Sequence, residues 1–181
     1  MQYPDRHRLT LAELREKMGA LARIDPLPGW AIPNTDLTLP RGSLVEILGA
    51  RSREWLLELF VKHEETRIAW IEPKLTLFPP AVEQRGVSLR RWLFIETKQE
   101  WNWSVLQVLR SKLFHFAVTS VDLIPSRGSD AYLRKLQIQA ERSGTALFFL
   151  SQAETRLFGI THRLRIDAED AAPQILKRKR G

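Results

Sequence analysis

Apolar residues follow two rhythms along this chain. From residue 43 onward, short unbroken apolar runs alternate with longer stretches in which apolar positions recur every three or four residues. The runs at 43–48, 67–71, 92–95, 116–123 and 145–150 predict strands. The stretches between them, 54–63, 101–113 and 129–142, predict helices, and Trp55, Leu56, Leu59 and Phe60 stand at helical spacing in the first. Unbroken apolar strands separated by helices mark βαβ units. They imply a three-layer α/β domain, its mainly parallel sheet covered by helices on both faces. Residues 163–166 predict a last edge strand, and 73–80 a loop. Ahead of this core, Thr10-Leu11-Ala12-Glu13 is a capping box, and Leu11, Leu14, Met18 and Leu21 predict an amphipathic helix over 11–23. The breaker cluster Asp25-Pro26-Leu27-Pro28-Gly29 stops it, and a loop runs on through Gly42. The chain thus divides into a helical arm and linker (1–38), an α/β core (39–166), and an acidic linker with a basic tail (167–181).

Composition narrows the function. The 181 residues are 44% hydrophobic, with six Trp, two Tyr and eight Phe, enough to bury a real core. There is no cysteine, which excludes a disulfide framework, a thiol nucleophile and Cys-ligated zinc or iron–sulfur sites. No apolar h-region opens the chain and no apolar run is long enough to cross a bilayer, so a soluble, cytoplasmic protein without a membrane partner is expected. The formal charge is +7, and Lys177, Arg178, Lys179 and Arg180 carry more than half of it. Such a cluster attracts nucleic-acid phosphates or an acidic protein face through salt-sensitive charge. It has no interleaved aromatics and so no sequence readout.

One turn stands where a phosphate-binding loop would. Leu44-Val45-Glu46-Ile47-Leu48 leads into Gly49, and a helix follows. A working loop of this kind needs Gly-x4-Gly-Lys-Ser/Thr, so that backbone amides cradle phosphate, Lys neutralises it and the hydroxyl holds Mg²⁺. Here Arg51 and Arg53 offer positive charge, but Glu54, Trp55 and Leu56 stand at the three decisive positions. A carboxylate, an indole and an isobutyl group cannot do that work.

From Leu39 to Gln152 the chain resembles the core of RecA-type recombinases. The stretch Ala69-Trp70-Ile71-Glu72, Leu77, Pro79, Gly86-Val87, Leu89 and Trp92-Leu93 follows the recombinase pattern without gaps. Leu133-Arg134-Lys135-Leu136, Ser143, Thr145, Leu147-Phe148-Phe149 and Gln152 are similar to its later helix and strand. The resemblance implies a RecA-like fold and locates what has been lost. Lys74 stands where the family has the Glu that activates water, and the adenine-stacking aromatic is replaced near Ala81. Ser120 replaces the metal-holding Asp, with Asp122 two residues on, and Gln152 is the nucleotide-sensing Gln. With phosphate loop, base and metal positions changed together, no ATPase activity and no cofactor are expected.

Two stripped recombinase families are similar. The ImuA-type accessory proteins of damage-induced mutagenesis share the Leu-Pro-Arg-Gly-x-Leu-Val-Glu entry, the Pro79–Val87 stretch and Leu133-Arg134-Lys135-Leu136-Gln137. The SulA-type division inhibitors, which act on a tubulin-like protein, share the reduced core. The first resemblance implies a nucleoid-associated accessory factor in the SOS response. Its partners would be a RecA-type recombinase, a Y-family-like polymerase homologue and an error-prone polymerase, with single-stranded DNA reached through the basic tail. The second implies a division inhibitor.

The remaining constellations add contact surfaces but no chemistry. His7, His63, His115 and His162 are scattered, so no metal site is expected, and no Gly-x-Ser-x-Gly elbow supports a hydrolase. Trp101 and Trp103 are two apart on a predicted helix, about 200° around its axis. One of them is therefore expected to face solvent as a partner contact, as are Leu11, Leu14 and Met18 of the arm.

Overall fold

The computed structural model describes residues 28–97, 99–125, 127–168 and 172–178. The helix expected over 11–23, with Leu11, Leu14 and Met18, lies outside the described residues, as do Lys179 and Arg180. In chain order the elements begin with β1 (Trp30–Ala31), β2 (Thr38–Leu39), β3 (Leu44–Leu48), α1 (Ser52–Lys62), β4 (Ile68–Glu72) and α2 (Pro79–Gln84). They continue with β5 (Trp92–Glu96), α3 (Trp101–Ser111), β6 (Phe116–Ser120), α4 (Ser129–Ser143), β7 (Ala146–Ser151), β8 (His162–Arg165) and β9 (Gln174–Arg178).

Seven strands form one sheet in the order β5-β4-β6-β7-β3-β8-β9, and β1 and β2 form a separate hairpin. Every neighbouring pair in the large sheet is parallel except β8 with β9. Alternation along each strand sends side chains to opposite faces. On one face Val45, Ile47, Ile68, Trp70, Phe116, Val118 and Phe148 meet Trp55, Leu56, Leu59 and Phe60 of α1. On the other, Leu44, Ala69, Ile71, Ala117, Leu147 and Phe149 meet α3 through Trp101, Val105, Val108 and Leu109, and α4 through Leu133, Leu136 and Ala140. Helices therefore cover both faces, as the apolar runs require.

Several expectations are corrected. The segment after Pro28 is not all loop, because Trp30 and Leu39 pair across the β1–β2 hairpin and both are buried. Pro79 and Pro80 open a helix, where proline's missing N–H costs nothing. The strand expected over 116–123 stops at Ser120 and passes into a single 3₁₀ turn. Residues 163–166 are not an edge, since β8 lies between β3 and β9. Part of the segment assigned to the basic tail belongs to the core instead: Gln174–Arg178 forms the antiparallel strand that closes this side of the sheet.

Beneath the N-terminal ends of β4 and β6, Trp30 stands edge-on to His63 and His115, with ring centroids 5.3 and 5.7 Å away. The Arg41 guanidinium lies 4.2 Å over the Trp30 ring. His115 Nδ1 accepts the Arg67 N–H at 3.0 Å, so the ring serves in its neutral form. Burial, then the Arg41 and Arg67 charges, holds its pKa below the ordinary 6.5. A histidine depressed in this way contributes stability above its unfolded pKa and loses it as pH falls through 6.5 toward the folded value. Urea midpoints measured between about pH 5 and 8 should therefore fall toward acid, and His115→Gln should flatten that slope.

Candidate functional site: a charge-balanced cleft at the strand ends

In a parallel sheet the strands' C-terminal ends all reach the same edge, where loops build binding clefts. Here that edge carries a cleft of about 810 Å³. It gathers Gly49 after β3, Arg53 from α1, Lys74 after β4, Ser120 at the end of β6 and Gln152 after β7. These residues, far apart in sequence, are the ones that stand at nucleotide-site positions by resemblance. Arg51, Glu54 and Trp55 are not in its wall. Trp55 is turned into the core instead, packed on the sheet.

The turn after β3 is closed on itself. Gly49 has φ +110°, and a Cβ there would lie 2.2 Å from the Ile166 carbonyl oxygen. The Arg51 N–H donates to that same carbonyl at 3.1 Å, and the Ser52 N–H donates to Gly49 O at 3.3 Å. These amides are spent inside the protein, whereas a phosphate cradle aims such groups at its ligand. The helix begins at Ser52, so Glu54 adds negative charge to its first turn.

The cleft's charges pair or cancel. Arg53 Nη2 donates to Glu72 at 3.0 Å and Nη1 to Thr76 Oγ1 at 2.6 Å. Glu72 also accepts the Thr76 N–H at 2.9 Å. This clasp ties α1 to the end of β4, and as Arg53 is 42% exposed the ion pair adds at most about 1 kcal/mol. Ser120 Oγ donates to Asp122 Oδ2 at 3.1 Å, so the two alternatives for the metal-holding position sit together on the wall. Lys74 and Arg165 balance Asp122 and Asp167, leaving three cations against three carboxylates. A polyphosphate site needs a cationic excess, which this lining lacks. Among the described residues, no three His, Asp or Glu side chains gather as a metal site.

The other candidates separate. Trp101 is buried, its Nε1 donating to Thr119 Oγ1 at 2.6 Å and its ring 5.6 Å from Tyr132. Trp103 is 60% exposed, the split that 200° of helical rotation demands. Lys177 lies in β9 and donates to the Phe158 carbonyl at 3.2 Å. Burial and the nearby Arg163 hold its pKa below the usual lysine value. Arg178 ends the same strand.

Sequence reasoning missed a buried ion pair. Glu46, in the middle of β3, is fully buried and accepts Arg163 Nε at 2.5 Å from the register-matched position of β8. It also accepts the Thr155 N–H and Oγ1, each at 3.1 Å. Arg163 reaches on to Glu154 at 3.0 Å and to the Thr155 carbonyl at 2.6 Å. The network fixes the loop after Gln152, which then presents Phe158 at 82% exposure. One signal was available: a carboxylate inside the apolar run Leu-Val-Glu-Ile-Leu has to find a cation when the strand is buried.

The fold and cleft define an α/β domain with a mostly parallel sheet and a charge-balanced cleft at its strand ends. No protein-family model and no curated protein matches the chain. Among solved structures it is similar to SulA from Pseudomonas aeruginosa, with a TM-score of 0.50 and 14% identity over 61% of this chain and 98% of that one. At that identity the likeness is one of fold. Among the described residues, no helix is long and apolar enough to cross a membrane.

Proposed function

We propose that this chain is a non-catalytic, RecA-like accessory factor of the DNA-damage response that acts by binding protein partners. The observation that carries the reading is the cleft. Gly49, Arg53, Lys74, Ser120 and Gln152, which stand at nucleotide-site positions by resemblance, line it, with Lys74 for the activating carboxylate, the Arg51 and Ser52 amides bonded internally, and no net positive charge. The sequence resemblance to ImuA-type proteins favours support of mutagenic, translesion DNA synthesis. A RecA-type recombinase is the first partner, and a Y-family-like polymerase homologue and an error-prone polymerase are recruited with it. Exposed Trp103 and Phe158 supply aromatic contacts, and the basic tail supplies charge toward acidic protein or single-stranded DNA.

The test is co-sedimentation with recombinase filaments on single-stranded DNA, beside bare DNA. The expected result is pelleting well above the bare-DNA control, weakened by Trp103→Ala or Phe158→Ala while the fold is retained. Pelleting equal to bare DNA overturns the reading. The fold likeness to SulA favours a second one, inhibition of cell division by binding a tubulin-like protein. Overproduction separates the two: filamentation of cells that lack the recombinase supports the inhibitor and counts against the accessory factor.

A further inference from the structure

The two edges of the large sheet are built differently. At one, β9 carries Lys177 and Arg178, and the β8–β9 ladder shifts register between Arg163 and Leu164. Charge and irregularity of this kind blunt an edge against strand pairing. At the other, β5 reads Trp92-Leu93-Phe94-Ile95-Glu96, with no Lys, Arg, Pro or Gly and no register shift against β4. Among the described residues β5 pairs with β4 alone, so its outer row of N–H and C=O groups has no ladder partner. Its apolar side chains are also incompletely covered. Trp92, Phe94 and Ile95 are half-buried, and Leu93 is 43% exposed. A regular apolar edge is a template for another strand.

The sequence of the edge specifies which strand. An antiparallel copy centred on Phe94 sets Leu93 opposite Ile95 on the α3 face, Phe94 opposite itself on the α1 face, and Trp92 opposite Glu96. Aliphatic meets aliphatic and ring meets ring, the pairs that stabilise sheets. The charges agree, because exposed Arg90 precedes the strand and exposed Glu96 closes it. Antiparallel pairing brings each Arg90 end to the other copy's Glu96 end, whereas parallel pairing would align like with like. A two-fold arrangement also closes, so it yields a dimer and no fibre. We propose that two copies of this chain associate through β5, antiparallel, into one continuous sheet with residue 94 on the two-fold axis.

The test uses the full chain in analytical ultracentrifugation. The wild type should form a concentration-dependent dimer at micromolar concentrations. Leu93→Lys, with unchanged circular dichroism, should raise the dissociation constant by about tenfold or more. Because the chain has no cysteine, single thiols then report the register. Phe94→Cys should link copy to copy under mild oxidation. Leu93→Cys should not, since diagonal positions stand about 7–8 Å apart. If Phe94→Cys loses its fold, the double variant Leu93→Cys/Ile95→Cys carries the same test, because position 93 faces position 95. A chain that remains monomeric, a dimer unmoved by Leu93→Lys, or equal linking at positions 93 and 94 overturns the proposal.

Discussion

Replacing Glu46 with Gln is expected to cost about 3 kcal/mol of folding stability, because it removes the buried counter-charge of Arg163 and leaves only the half-exposed Glu154 paired with it. Glu46 has no exposed side-chain surface and Arg163 has 9%, so water cannot take the carboxylate's place without opening the sheet. The loss is a large share of the roughly 5–15 kcal/mol that a domain holds in total. A urea titration at neutral pH measures it. The double variant Glu46→Leu/Arg163→Met should recover most of the loss, since replacing a buried pair with apolar groups is often near neutral. What the double variant should not recover is the order of residues 153–159, because Thr155 and Glu154 are held by the lost pair. Faster proteolysis of that loop in a stable double variant would assign the pair to positioning Phe158. A loss below about 1 kcal/mol for Glu46→Gln would mean that solvent reaches Arg163 from the Glu154 side.

Why that pair stayed hidden while most of the cleft was readable follows from the geometry of a parallel sheet. The runs that become β3, β4, β6 and β7 are apolar on both faces, so they stand out as unbroken blocks, and the residue after each block is bound to reach the same edge. Gly49 is legible for that reason, whereas Lys74, Ser120 and Gln152 are legible through the resemblance to recombinase cores. Arg165 and Asp167 reach the cleft too, but only because β8 pairs with β3, and the short His-Arg-Leu-Arg run carries no sign of which neighbour it takes. Glu46 and Arg163 are 117 residues apart, and nothing local joins them. The hairpin of β1 and β2 has two residues in each strand, too few for a period to emerge. In β9 the signal is present but ambiguous: Lys177 and Arg178 read as part of a basic tail that binds anionic partners, whereas charge is also what an edge strand carries.

Gly49→Ala is expected to lower stability by about 3 kcal/mol or more. Two costs combine. At φ +110° a residue with a Cβ sits well outside the left-handed well, which centres near +57°. The Cβ would also lie 2.2 Å from Ile166 O and 2.7 Å from Asp167 Oδ1, and the first of these is backbone that no rotamer change can move. Relief would require β8 to shift away from β3, breaking the Arg51 N–H bond to Ile166 that closes the turn. Gly86→Ala separates the two costs. Its φ is +82°, yet a Cβ there meets nothing within 4 Å, so only backbone strain of about 1–2 kcal/mol should appear. Thermal and urea unfolding of the two variants side by side decide the matter. Equal losses would mean that conformation alone selects glycine at both sites. A distinctly larger loss at Gly49 would show that the turn requires glycine because Ile166 and Asp167 are packed directly against it.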